Sequence, residues 1–336
     1  MGEEVVGTLV GRWYVTLFGV AFVVLAVRHL GWRRTAIYTA VAVAVGGIAE
    51  NGAVHTGFPY TRYSFNDGLR GDELFLGDVP LMVTLSYTFM AYFAFGAARL
   101  VVAGPYRSRS AMPVLEYATA VVLGVWIIWV IDPVSRLGAH FFLGELFHYD
   151  GPGFWFGLPL GSQLGFVLTQ GVLIGLLTWL ARDEPAEDVD RLVDHPHLGA
   201  LGGLVGQLLF LTVTAFVVAR TTGDPSVAAT ADALAGSTFV IGLPVVLLTA
   251  VHWRSLGLAR ASSAVGQQAD GLELDVLVEP LRPVLPPDPT GLEPSEGRAE
   301  VGGVVVDAGG ARAHPTGDGE APFGVGRPHR AGQAEL

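Results

Sequence analysis

Seven apolar runs decide what this chain can be. They fall at residues 9–27, 35–54, 79–100, 114–131, 154–180, 198–219 and 233–251. A bilayer core needs about 20 apolar residues per helix. Lipid offers the backbone no hydrogen-bond partner, so such runs must be helical. The expected fold is all-α: a polytopic integral membrane helix bundle of about seven transmembrane helices over residues 1–260. After Arg260 the chain turns rich in Pro, Gly, Glu and Asp and poor in aromatics. Residues 261–336 cannot bury enough apolar surface to offset chain entropy, and are expected to form a disordered acidic tail. The start is acidic and no small-residue cleavage pattern follows Val27, so the first run reads as a retained helix rather than a signal peptide.

Composition closes off several classes. Hydrophobic residues make up 51% of the chain, too many for an ordinary soluble domain. There is no Cys, hence no disulfide framework and no thiolate metal site. All twenty basic residues are Arg, and without a Lys no retinal-type Schiff base can form. Residues 262–336 hold twelve acids and five Arg, which places −7 of the −11 net charge in the tail. The charge therefore points to no partner, and no nucleic acid is expected. His140 and His148 are eight apart, His195-Pro196-His197 sits in a loop, and no H-E-x-x-H or closely spaced His box appears. No D-x-x-x-D stands at a helix end to hold a diphosphate through magnesium. With no strand pattern, no glycine-rich phosphate loop is expected either. Neither a metal nor a cofactor is expected.

Arg also sets an expected orientation. Loops after runs one, three, five and seven carry ten Arg, against five on the other side. Cytoplasmic loops are enriched in basic residues, so the N-terminus is expected outside and the C-terminal tail in the cytoplasm of a multi-pass cell-membrane protein.

Two stretches depart from the lipid-like pattern, residues 50–81 and 132–166. Both concentrate acids, aromatics, Gly and Pro between apolar runs. They are expected to form one polar, aromatic-lined site at one face of the bundle. To span, the second helix must run past Glu50, which places a carboxyl inside it. Such a charge costs roughly 2.5–3.5 kcal/mol on insertion scales, so it usually faces the bundle and has a use. The plainer reading is a structural hydrogen bond or an ion pair with Arg62. Asp132 closes the fourth helix before Pro133, where the helix dipole disfavours an anion and calls for a compensating partner. A hydrated interface residue is the alternative. Asp78 reads as a cap for the third helix. Asp67, Asp72 and Glu73 read as loop-solvating charges, and Glu116 as an interface charge. Phe58, Tyr60, Tyr63, Phe65, Phe141, Phe142, Phe147, Tyr149, Phe154, Trp155 and Phe156 crowd the same two stretches. An interface aromatic belt accounts for some of them. Acids beside aromatic faces also suit protonation of an alkene, because a buried acid donates the proton and the rings stabilise the cation.

Thr56-Gly57-Phe58-Pro59-Tyr60, then Tyr63, Phe65, Asp67 and Leu69, then Val79-Pro80-Leu81, resembles the first signature of the carotenoid biosynthesis protein family that includes carotenoid 1,2-hydratases. In that family an acid likewise ends the preceding helix, where Glu50 stands. Asp132-Pro133, Phe147-x-Tyr149 and Gly153-Phe154-Trp155-Phe156-Gly157-Leu158-Pro159-Leu160 resemble the second signature. The likeness covers about residues 10–255 in topology. It departs at Thr61 (usually Gly), at Tyr87 (usually Trp), at Phe147 and Tyr149 (a W-x-W-like pair) and at Ser162-Gln163-Leu164-Gly165-Phe166 (an N-F-x-G-W-like run). The resemblance implies a cofactor-independent hydratase that adds water to the terminal 1,2 double bond of an acyclic carotenoid. Membrane lipids and other carotenoid biosynthesis enzymes would be its partners. It implies Glu50 or Asp132 as proton donor and Asp67 or Asp78 as groups positioning water. Tyr60, Tyr63, Phe65, Phe147, Tyr149 and Trp155 would line the substrate site. Two other readings stay open at this point. One is a non-catalytic lipid- or carotenoid-binding or transport protein. The other is an acid-catalysed cyclase, although the P-x-E-type motif of small membrane lycopene cyclases is absent.

Overall fold

A computed structural model describes residues 2–137, 140, 146–150 and 153–276. Among them, seven helices are long and apolar enough to cross a membrane. A short helix α1 (Gly2–Val6) and one π-helical turn (Gly7–Gly11) lead into α2 (Trp13–Leu30). Then come α3 (Trp32–Thr56), α4 (Leu81–Ala103), α5 (Pro113–Ser135), α6 (Leu160–Leu180), α7 (Leu198–Thr221) and α8 (Pro225–Val276). The chain is therefore a multi-pass helical membrane protein.

α4 is the axis of the bundle. It packs against α2, α3, α5 and α7 and is buried along nearly its whole length. Small residues let its neighbours approach, as is usual where lipid supplies no hydrophobic drive between helices. A Cβ on Gly96 would lie 2.4 Å from the Cβ of Ala200, so α4 and α7 touch almost backbone to backbone there. The outer helices present exposed Val, Leu and Phe along α2, α7 and α8.

Strands appear where the sequence pattern gave none. β1 (Tyr63–Phe65) pairs antiparallel with β4 (Phe147–Tyr149), with Tyr63 opposite Tyr149 and Phe65 opposite Phe147. β2 (Phe75–Leu76) and β3 (Val79–Pro80) form a small hairpin just before α4. Three-residue strands are too short to show an alternation of their own. Cross-strand ring contacts hold the β1–β4 ribbon, with Tyr63 and Tyr149 centroids 5.2 Å apart. The ribbon ties the two polar stretches into one cap at one end of the bundle.

Several local expectations are corrected. Asp132 does not close its helix, because α5 continues through Pro133 to Ser135. Pro133 has no N–H to give the carbonyl of Trp129 four residues back. The indole of Trp155 supplies one instead, at 3.0 Å. Asp78 does not cap α4, whose cap position is Pro80. Its backbone N–H donates to Asn51, and its carboxylate pairs with Arg70 at 2.6 Å and His55 at 3.0 Å. Glu116, in the first turn of α5, is buried beside Arg99. Phe154–Pro159 forms turns rather than the start of the fifth span. The last helix passes residue 260 and runs to Val276, whereas residues 277–336 of the expected tail, with Phe141 and Phe142, lie outside the described residues.

Candidate active site

Beneath the ribbon lies a cavity of about 110 Å³, walled by α2, α3, α4, α5, α6 and α7 and by the two polar stretches. That is several times the space one water needs. Glu50 and Asp132 both line it, one from the last third of α3 and the other near the end of α5. Two acids 82 positions apart in sequence thus open on one space within the membrane-spanning part of the bundle.

Glu50 is buried, and its partner is Tyr87 rather than Arg62, which is exposed. The Tyr87 hydroxyl donates to Glu50 Oε1. The Tyr60 hydroxyl lies 2.8 Å from that of Tyr87 and 2.8 Å from Thr169 Oγ1. Each hydroxyl can give or take one proton, so the row Thr169–Tyr60–Tyr87–Glu50 can run in either direction as Glu50 changes its protonation. The Asp132 backbone carbonyl accepts from the Arg136 N–H, but its carboxyl makes no hydrogen bond among the described residues and is left to face whatever fills the cavity.

Aromatic rings form the walls. Tyr60, Tyr63, Phe65, Phe147 and Tyr149 all line the cavity, as does Phe166, whose ring centroid is 5.0 Å from that of Tyr60. Burial, then the Glu50 charge, pushes the Tyr60 phenol well above its ordinary value. Burial and the Asp132 charge do the same for Tyr149. Both phenols therefore stay neutral and can only donate or accept hydrogen bonds. The close approach of α6 to Pro59 and Tyr60 depends on Gly165, where a Cβ would lie 2.4 Å from the Tyr60 ring and from the Pro59 carbonyl oxygen.

Three of the residues expected at the site lie elsewhere. Asp67 is exposed and sits 3.3 Å from Arg70 Nε. Asp78 pairs with the same Arg70. Trp155 packs at a tilt against Trp129, with centroids 5.5 Å apart. Its position follows from the carbonyl freed by Pro133 and from the tight turn at Gly157, whose φ is 87°. None of the three lines the cavity. Other groups do line it without having been singled out as site residues: Arg12, Tyr14, Tyr87, Gln207 and Phe210. Tyr87 stands where the resemblance expected Trp, which was the one signal available for it. Among the described residues no group of three or more His, Asp or Glu could hold a metal ion.

The fold and this cavity define a multi-pass membrane protein in which two acids and several phenols meet on one enclosed space. Compared with known families, residues 10–222 match the carotenoid biosynthesis protein family, and the chain belongs to it. Its role lies in carotenoid biosynthesis, with carotenoids and related isoprenoids as its substrate context. The matched residues, 10–222, include every residue lining the cavity. No curated protein and no solved structure matches the chain.

Proposed function

We propose that the protein is a cofactor-independent hydratase that adds water to the terminal 1,2 double bond of an acyclic carotenoid. The observation that carries this reading is the pair of carboxyls, Glu50 and Asp132, on one cavity with aromatic walls. Asp132, whose carboxyl no hydrogen bond holds, would give its proton to C2. The alkene π bond becomes a C–H bond, and a tertiary cation is left at C1. Water attacks C1 through an oxygen lone pair. The oxonium then loses a proton to Glu50, which Tyr87 holds in place. The product is a tertiary alcohol. Transfer between the two carboxyls through water restores the starting state. General acid–base participation of this kind is worth about 10²–10⁴ in rate. The rings of Tyr60, Tyr63, Phe147 and Tyr149 present their negative faces to the cation.

The test is pigment mass. The protein is expressed in a bacterial host that accumulates lycopene or a longer acyclic carotenoid, and extracts are separated with mass detection. The expected pigment is heavier by one or two waters. A new pigment of unchanged mass would indicate ring closure instead. Unchanged pigment across several acyclic substrates, with the protein well expressed, would point to binding or transport.

The Arg distribution supports placing the ribbon and the cavity mouth outside, with the end of α8 in the cytoplasm. The chain has no cysteine, so single-Cys labelling reads this cleanly. Asp67→Cys should react with an impermeant maleimide on intact cells, and Val193→Cys only after permeabilisation. The reverse pattern overturns the orientation.

A further inference from the structure

Two cavity residues do no work in the scheme above. Arg12 is only 3% exposed, and its Nε donates to Glu73 Oε1 at 2.9 Å. The Tyr14 hydroxyl stands close enough to the guanidinium to interact with it, but Nη1 and Nη2 make no hydrogen bond of good geometry. Gln207 on α7 is 2% exposed, and neither its Nε2 nor its Oε1 has a partner. Both side chains line the cavity that holds Glu50 and Asp132.

Buried donors and acceptors are normally satisfied, and leaving them open costs free energy. A pure hydrocarbon end group would satisfy none of these atoms. The open set combines donors, from Arg12 and Gln207, with an acceptor, Gln207 Oε1. A partner that both accepts and donates answers it, and a carboxylate or a ketone does not. Glu73 also offsets the Arg12 charge, so the guanidinium does not set a bare cation against a carbocation.

We propose that Arg12, held by Glu73, and Gln207 order the water that reacts in this cavity. The inference rests on the hydratase reading and deepens it. Water accepting from Arg12 Nη, or donating to Gln207 Oε1, keeps a lone pair free to form the C1–O bond. Without that ordering, the cation still forms at C1 when C2 is protonated. It then collapses by returning a proton to the Asp132 carboxylate, from C2 to recover the starting alkene or from a methyl group to give its terminal-methylene isomer. Arg12 and Gln207 are thus positioning residues, and they act on the fate of the cation rather than on its formation.

The distinguishing experiment uses the full chain, purified into liposomes with lycopene in D₂O buffer. Two quantities are read: mass gained by hydration, and deuterium incorporated into recovered lycopene. Wild type should show both. Gln207→Leu, which keeps the volume, should lower hydration at least tenfold while deuterium exchange stays within about threefold. The paired Arg12→Met, Glu73→Gln exchange, which leaves no buried carboxylate unpartnered, should do the same, and Arg12→Lys should recover part of the hydration. If hydration and exchange fall together, or if hydration is unchanged, the water-ordering role is overturned. If wild type shows neither, the hydratase reading itself fails, and this inference with it. Gln207→Leu alone decides the matter if the paired variant does not accumulate.

Discussion

Replacing both cavity acids, Glu50→Gln with Asp132→Asn, is expected to abolish hydration of an acyclic carotenoid. The loss should be at least about 10²-fold, the lower bound for general acid–base catalysis. Both exchanges are nearly isosteric and remove only the ability to carry a proton, so the protein should accumulate to the wild-type level. The single variants separate the roles. Asp132→Asn should lose hydration and deuterium exchange together, because no proton reaches C2. Glu50→Gln should lose hydration while retaining some exchange, since an amide can still accept from Tyr87 but cannot take the proton from the oxonium. Liquid chromatography with mass detection reads all three. Wild-type turnover in the double variant would remove these carboxyls from the chemistry and leave them as structural partners of the bundle. A reversed pattern in the single variants would keep the pair and exchange their roles.

The sequence showed the bundle because lipid demands an uninterrupted apolar run for each helix, and such runs survive any packing arrangement. It showed Glu50 for the same reason: a carboxyl in such a run stands out against its neighbours. What escaped were features made by contacts between distant residues. The Arg12–Glu73 pair joins positions 61 apart, and Glu73 in sequence resembles any loop acid. The β1–β4 ribbon has three residues per strand, too few for a period-two signal, and exists because each strand meets the other. Trp155 reads as a site aromatic until the carbonyl freed by Pro133 gives its indole a partner elsewhere. Asp78 has the position of a helix cap but is taken by Arg70 and His55. The aromatics of the ribbon were legible because several rings fell together in two short stretches, and a cluster survives the misplacement of one member.

Arg99→Met is expected to be the most destabilising single exchange outside the cavity. At the opposite end of the bundle from the ribbon, Arg99 is 2% exposed and gathers charges from three elements. Its Nη1 donates to Glu184 Oε2 at 2.6 Å, and its Nε is 3.8 Å from Glu116 Oε2. Glu184 Oε2 is also 3.0 Å from His29 Nε2. Removing the guanidinium takes the paired cation from Glu116 and leaves Glu184 with His29 alone. Breaking a buried pair in this way costs about 3–5 kcal/mol. For a chain of this size that corresponds to a fall of roughly 10 °C in melting temperature, measured by thermal unfolding in detergent. The same cluster sets an acid limit. Burial pulls the Glu184 carboxyl upward, but His29 and Arg99 together outweigh it and hold the group below its ordinary value of 4.5. The stability this supplies is present above that ordinary value and is lost as pH falls through the lowered one. Wild type should therefore lose melting temperature steeply below about pH 4.5, and Glu184→Gln, less stable at neutral pH, should lose less over the same range. Equal acid slopes in the two proteins would mean that other carboxyls carry the acid sensitivity. An unchanged melting temperature in Arg99→Met would mean that helix packing alone holds this end of the bundle. The expected loss makes the two ends differ in kind, because the ribbon end turns its buried acids to an open cavity and this end sets its charges against one another.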